Sequence, residues 1–218
     1  MNTIERSIDS LDWMTLVLLL GLTLLAVGKY LYQTRFMSFL ILPFNNKYIS
    51  MYSKKGRLLN WFHILMTLFQ IINFSLFLYF AFQIFELPFL NKSTSAYFII
   101  LAMVVLILLL KIVLQMSKGY VFNTHSLVNE IIYNKLSYFN HSGLIMFIAN
   151  IMLIYILKDS KPIVYGTIFL ILFINIIGMI NILKNRQKMI VTNVFYFILY
   201  LCTLEIAPLV IIGGYLKD

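Results

Sequence analysis

Residues 96–117 read AYFIILAMVVLILLLKIVLQMS. Its first part, 97–110, has no charged or amide side chain, and it lacks the apolar–polar alternation of a barrel strand. As a helix, the stretch rises about 33 Å at 1.5 Å per residue. That length matches the ~30 Å hydrocarbon core of a bilayer. Five more stretches qualify by the same measure: 12–32, 60–85, 141–158, 163–184 and 192–216, the fourth span (141–158) being the shortest. The sequence therefore predicts an all-α, polytopic membrane helix bundle. It has six transmembrane helices and short cytoplasmic interfacial helices, within a single domain over 1–218.

Composition agrees with this reading. Of 218 residues 61% are apolar and only 11% charged, with 19 Phe, 14 Tyr and 2 Trp; the mean hydropathy is +0.91. A soluble domain carries about 25% charged residues. The one cysteine, Cys202, forms no internal disulfide and leaves the redox compartment open. In the first span, Ala26-Val27-Gly28 loosely resembles a signal-peptide cleavage site. The segment before it is acidic (Glu5, Asp9 and Asp12 against Arg6), whereas signal peptides begin basic. The first span is therefore expected to be a retained helix.

Orientation follows from Lys and Arg placement. The first, third and fifth loops, with Lys29 at the adjoining helix end, hold twelve of the 17 Lys and Arg. Five (Arg6, Lys92, Lys158, Lys161 and Lys217) fall on the other side. The odd loops are thus expected in the cytoplasm and both termini in the periplasm. The net charge of +9 then meets anionic lipid headgroups, at about 1 kcal/mol per base near the surface. Nucleic acid is not the partner this balance implies. Trp13 and Trp61 begin their spans at opposite faces, as interfacial anchors do. The Lys158–Lys161 turn ahead of Pro162 is tight enough to make the fourth and fifth helices antiparallel neighbours.

Two inner loops are long enough for structure of their own. Residues 36–44, FMSFLILPF, are too apolar for water and too short to span, which places them in the interface, ended by Pro43 and Asn45-Asn46. In the third loop, Leu127, Val128, Ile131, Ile132, Leu136 and Phe139 recur at helical spacing, with Asn129, Glu130, Asn134 and Ser137 opposite. Asn123 or Thr124 is placed to cap the start. This predicts an amphipathic helix over 124–139 along the cytoplasmic surface, covering the bundle end or docking a partner.

Ionisable groups inside a bilayer cost at least ~2.5 kcal/mol at the midplane unless paired. Of the eight acids only Glu205 lies deep within an expected span. Chemistry that needs two acids within reach, or clustered Asp for magnesium, has no basis here. No HExxH, GxSxG, P-loop or dinucleotide glycine motif occurs. The expectation is a protein without catalytic residues. His63 and His141 begin the second and fourth spans and His125 lies in the third loop. All three fall near one face, where a haem or metal site is geometrically allowed with Glu130 as a further ligand. Histidines at such positions more often face headgroups, so no cofactor is expected.

Asn73, Asn150 and Asn175 lie inside the second, fourth and fifth spans, about 13–20 Å from the inner ends by helical rise. Glu205 falls within that band. Buried amides mostly tie helices together, and a hydrated pathway is the rival reading. Pro208 lacks an N–H, so the Leu204 carbonyl loses its helical partner beside the Glu205 carboxyl. Desolvation should keep Glu205 neutral and facing the interior, bonded to another helix through Asn73 or Asn175.

The last span contains Tyr200-Leu201-Cys202-Thr203-Leu204-Glu205-Ile206-Ala207-Pro208-Leu209. This segment resembles the C-terminal signature of an uncharacterised inner-membrane protein family of the Bacteroidota, a domain of unknown function. Phe44-Asn45-Asn46 and the helix spacing fit it too, so the resemblance covers most of the chain. It implies a bacterial inner membrane and, by analogy with the envelope machinery of those bacteria, a place in a secretion or glycan assembly. It implies no activity and no catalytic residue. The first expectation is a non-enzymatic inner-membrane subunit that scaffolds or regulates a larger complex with other membrane-protein subunits. A small proton- or ion-coupled carrier using Glu205 is the alternative, although residues 1–110 and 111–218 show no inverted repeat. A haem-binding electron-transfer subunit through His63 and His141 is the third.

Overall fold

The computed structural model describes residues 12–45, 47–52, 60–85, 94–121, 125–158 and 160–185. All regular structure among them is helical: α1 (Asp12–Leu31), α2 (Gln33–Leu40), α3 (Lys47–Tyr52), α4 (Trp61–Ile84), α5 (Thr94–Val121), α6 (His125–Ile151) and α7 (Lys161–Asn185). Five helical stretches are long and apolar enough to cross a membrane: Asp12–Leu31, Trp61–Ile84, Thr94–Ser117, Val128–Ile156 and Lys161–Asn181. They overlap the first five expected spans, the fourth beginning thirteen residues earlier than expected. The sixth, 192–216, lies outside the described residues, and with it Glu205 and Pro208. Residues 1–178 form one compact unit, within which all the packing below is found.

α4 is the hub. It packs against α1, α5 and α6, and α6 also meets α5 and α1. Half of the apolar window of α4 and of α6 is buried, against 17% for α1 and α5 and 22% for α7. The helix with the longest apolar run, α5, is thus among the least covered. Its Phe98, Ile99, Met103, Leu106, Leu109 and Leu110 are all exposed. That inversion is what lipid dictates, because apolar side chains lose nothing against hydrocarbon while amides and imidazoles must find protein partners.

α4 and α6 run in the same direction. His63 meets Tyr133, Thr67 meets Asn140, and Asn73 meets Asn150. The close approach is made by Gly143, where an added Cβ would overlap the Gln70 side chain and lie 3.3 Å from the Gln70 Cα. Val164 of α7 joins the apolar cluster built on Leu76, Phe77, Met146 and Leu153. Farther along α7, Gly178 lies against the Tyr138 ring. Trp13 packs edge-on against Tyr79 at 5.4 Å and beside Tyr97 at 5.3 Å, while Trp61 stays exposed.

Two expectations for the inner loops change. The amphipathic helix over 124–139 and the span over 141–158 are one continuous helix, α6, extended by a π-helical turn at Met152–Ile156. Hydropathy suggests a break because Asn134, Ser137, Asn140, His141 and Ser142 interrupt the apolar run. All five are buried, facing protein rather than water. The polar side of this helix is its interior side.

Residues 36–44 form α2 and the turn after it. Phe36, Phe39 and Leu42 fold inward, and Met37, Leu40, Ile41 and Phe44 remain exposed. The stretch is apolar on two counts, an inner row against the bundle end and an outer row that an interface can take up. With α3 it builds an aromatic cap over the start of α4. Phe39 lies 5.8 Å from both Tyr48 and Phe62, and Arg35 sits over the Tyr52 ring at 4.9 Å.

Candidate functional site: a polar seam between α4 and α6

On α4, His63, Thr67, Gln70 and Asn73 recur every three or four residues and so share one helix face. On α6, Tyr133, Ser137, Asn140, Gly143 and Asn150 do the same. The two stripes face each other. Over about 15 Å of helix, from His63 to Asn73, the contact between two membrane-crossing helices is polar.

Its bonds fall into short separate groups. The Thr67 hydroxyl donates to the His63 carbonyl at 2.8 Å, and Asn140 Nδ2 donates to Thr67 Oγ1 at 2.9 Å. Asn150 Nδ2 donates to the Asn73 carbonyl at 3.0 Å, while Asn73 Nδ2 turns back to the Phe69 carbonyl at 2.8 Å. Gln70 Nε2 leans on the Met146 sulfur at 3.7 Å, a weak acceptor. Asn175 of α7 reaches the Ser142 hydroxyl at 3.2 Å and the Ile171 carbonyl at 2.8 Å. Asn73, Asn150 and Asn175 thus each take part in a contact between helices.

The remainder is unusual for a membrane interior. Among the described residues six buried side-chain atoms have no hydrogen-bond partner: His63 Nε2, Gln70 Oε1, Asn134 Oδ1, Asn140 Oδ1, His141 Nδ1 and Asn150 Oδ1. All belong to α4 or α6. A buried polar atom left unpaired costs about 1–3 kcal/mol, so a row of six is a large cost in one helix pair.

His63 and His141 face protein. His63 stacks on Tyr133 with ring centroids 4.7 Å apart and planes 20° from parallel. His141 meets the Leu40 carbonyl through Nε2 at 3.2 Å and packs beside Phe39 at 5.5 Å. Both are buried under the cap. His125 does not join them. It begins α6, and one unbroken helix carries it about 24 Å from His141. Glu130 is about 16 Å from His141 by the same rise, so the four-ligand grouping that a folded-back loop would allow is lost. Among the described residues no three His, Cys, Asp or Glu side chains gather as a metal site.

Outside the spans, Tyr48 of α3 receives the Tyr133 hydroxyl at 3.0 Å. Burial, followed by the adjacent Tyr133, pushes the Tyr48 hydroxyl well above the ordinary phenol range. It therefore stays neutral and keeps this link between cap and seam intact.

Sequence reading found Asn73, Asn150 and Asn175 because amides in apolar runs stand out. It passed over Gln70 as a partner of α6 and did not single out Thr67, Asn140 or Gly143. Asn140 and Gly143 sit where the fourth span was taken to begin, and Thr67 looks like any small residue in a span. The signal that would have found them is the shared three-and-four spacing with His63 and Asn73.

Helices that expose apolar faces and enclose a polar seam define a polytopic α-helical membrane protein. The chain belongs to the family described as Domain of unknown function (DUF4271), whose model matches residues 14–216. No curated protein and no solved structure matches it.

Proposed function

We propose that this DUF4271 protein is a small carrier or channel, and that the α4–α6 seam is its hydrated solute path. The observation that carries the reading is that His63, Gln70, Asn140 and Asn150, all on the two facing stripes, each keep a buried polar atom without a partner. Polar glue between membrane helices satisfies its own groups, whereas a water-lined path leaves groups for its contents. The scaffolding role rests only on the lack of catalytic motifs, with no particular residue behind it, so the carrier reading goes ahead of it. Glu205, the one deep acid of the sequence, is assigned as the coupling group. The inner membrane of a bacterium akin to the Bacteroidota, the sixth span at 192–216 and periplasmic termini complete the proposal.

Cysteine accessibility tests the path. With Cys202 replaced by Ser, Thr67→Cys and Ser137→Cys are expected to react with a small water-soluble methanethiosulfonate in membrane vesicles. Leu109→Cys and Phe169→Cys, on exposed apolar faces, are expected to stay unmodified, because thiolates do not form in hydrocarbon. Seam positions as inert as the lipid-facing ones would reduce the seam to dry glue and end the carrier reading.

The orientation has its own test. A C-terminal alkaline phosphatase fusion is expected to be active and a C-terminal green fluorescent protein fusion dark. The opposite pair of results reverses every loop assignment.

A further inference from the structure

The atoms left over at Gln70, Asn140, His141 and Asn150 are acceptors, as their partners show. Thr67 spends its hydroxyl proton on the His63 carbonyl, so Asn140 has to turn its NH2 toward Thr67 Oγ1, and its Oδ1 is left bare. Asn150 bonds to a backbone carbonyl, which only accepts, so its Oδ1 is bare too. His141 faces the Leu40 carbonyl through Nε2, which must therefore carry the proton, and Nδ1 keeps a lone pair. Gln70 has its Nε2 on the Met146 sulfur and its Oε1 against Gly143, one turn beyond Asn140 on the same face of α6. At these four residues the atom left without a partner is an acceptor.

From this we infer that the seam binds a small alkali cation, held first between the amide oxygens of Gln70 and Asn140, with Asn150 as a further oxygen about 15 Å deeper than Asn140. Amide oxygens are the ligands that replace the water shell of alkali ions in membrane proteins. An anion at Gln70 and Asn140 would face these oxygen lone pairs. The inference rests on the hydrated-path reading, since waters of the path complete the ion's shell.

The test uses the full-length protein in mild detergent, unfolded thermally in sodium, potassium or choline chloride at equal ionic strength. Sodium or potassium is expected to raise the midpoint saturably over choline. Gln70→Met keeps the side chain's length and removes the spare oxygen. It is expected to abolish the alkali-ion shift, with a midpoint in choline no lower than that of the parent protein. A residue serving only as glue would lower that midpoint instead. Asn140→Asp keeps the shape and adds charge, and it is expected to lower the half-saturating alkali concentration several-fold. Equal midpoints in alkali and choline salts, or an undiminished shift in Gln70→Met, would overturn the inference. If the seam cysteines react while no alkali shift appears, the path stands and only its cation is wrong; inert seam cysteines remove both.

Discussion

Gly143→Val is expected to uncouple α4 from α6, with a loss of about 3 kcal/mol or more in folding stability. The cause is local. At Gly143 the first side-chain carbon already runs into the Gln70 side chain and lies 3.3 Å from the Gln70 Cα, so the neighbour that must give way includes backbone. Valine adds two methyl groups to that contact. The control is Gly166→Val on α7, where nothing lies within 4 Å of an added Cβ. Both are helix-interior glycines, so backbone propensity changes alike and the difference isolates the crossing. Unfolding in mixed detergent micelles measures it, and Gly166→Val is expected to stay within about 0.5 kcal/mol of the parent. Equal losses in the two variants would mean that α4 and α6 do not meet at Gly143.

Phe39→Ala is expected to cost about 3 kcal/mol, the lower end of the range for emptying a buried phenylalanine site. Phe39 is 1% exposed and stands among Tyr48, Phe62 and His141. Its removal opens a cavity between the cap and the head of the seam. Phe44→Ala, at a ring 92% exposed, is expected to leave unfolding unchanged. The same micelle titration compares the pair, with limited proteolysis of the α2–α3 segment as a second readout. An increase in cleavage confined to Phe39→Ala would show that the cap is held by its inward row. Equal behaviour of the two variants would show that 36–44 is held by lipid rather than by the bundle.

These two sites show where a linear reading ends. Counting apolar residues finds α1, α4, α5 and α7 to within a few residues, because a span must be long and apolar whatever it packs against. The same count divides α6 at Asn140-His141 and assigns its polar side to water. Hydropathy records how polar a residue is but not what it faces. Only the parallel packing of α4 on α6 shows that Ser137, Asn140 and Ser142 turn inward. Likewise, the paired spacing of His63, Thr67, Gln70 and Asn73 is present in the sequence, but its meaning depends on a second stripe more than sixty residues away.

The amino-acid order alone was enough for an all-helical membrane protein with its apolar runs in place, for the absence of familiar catalytic motifs, and for amides at mid-span. It was enough because the bilayer acts on each helix separately, through length and apolarity. The tertiary structure decided which amides meet. It placed His63 and His141 under an aromatic cap and apart from His125, and it left the amide oxygens of Gln70, Asn140 and Asn150 without partners. Those outcomes depend on direction, distance and the order in which protons are shared between helices, and none of these is a property of one segment.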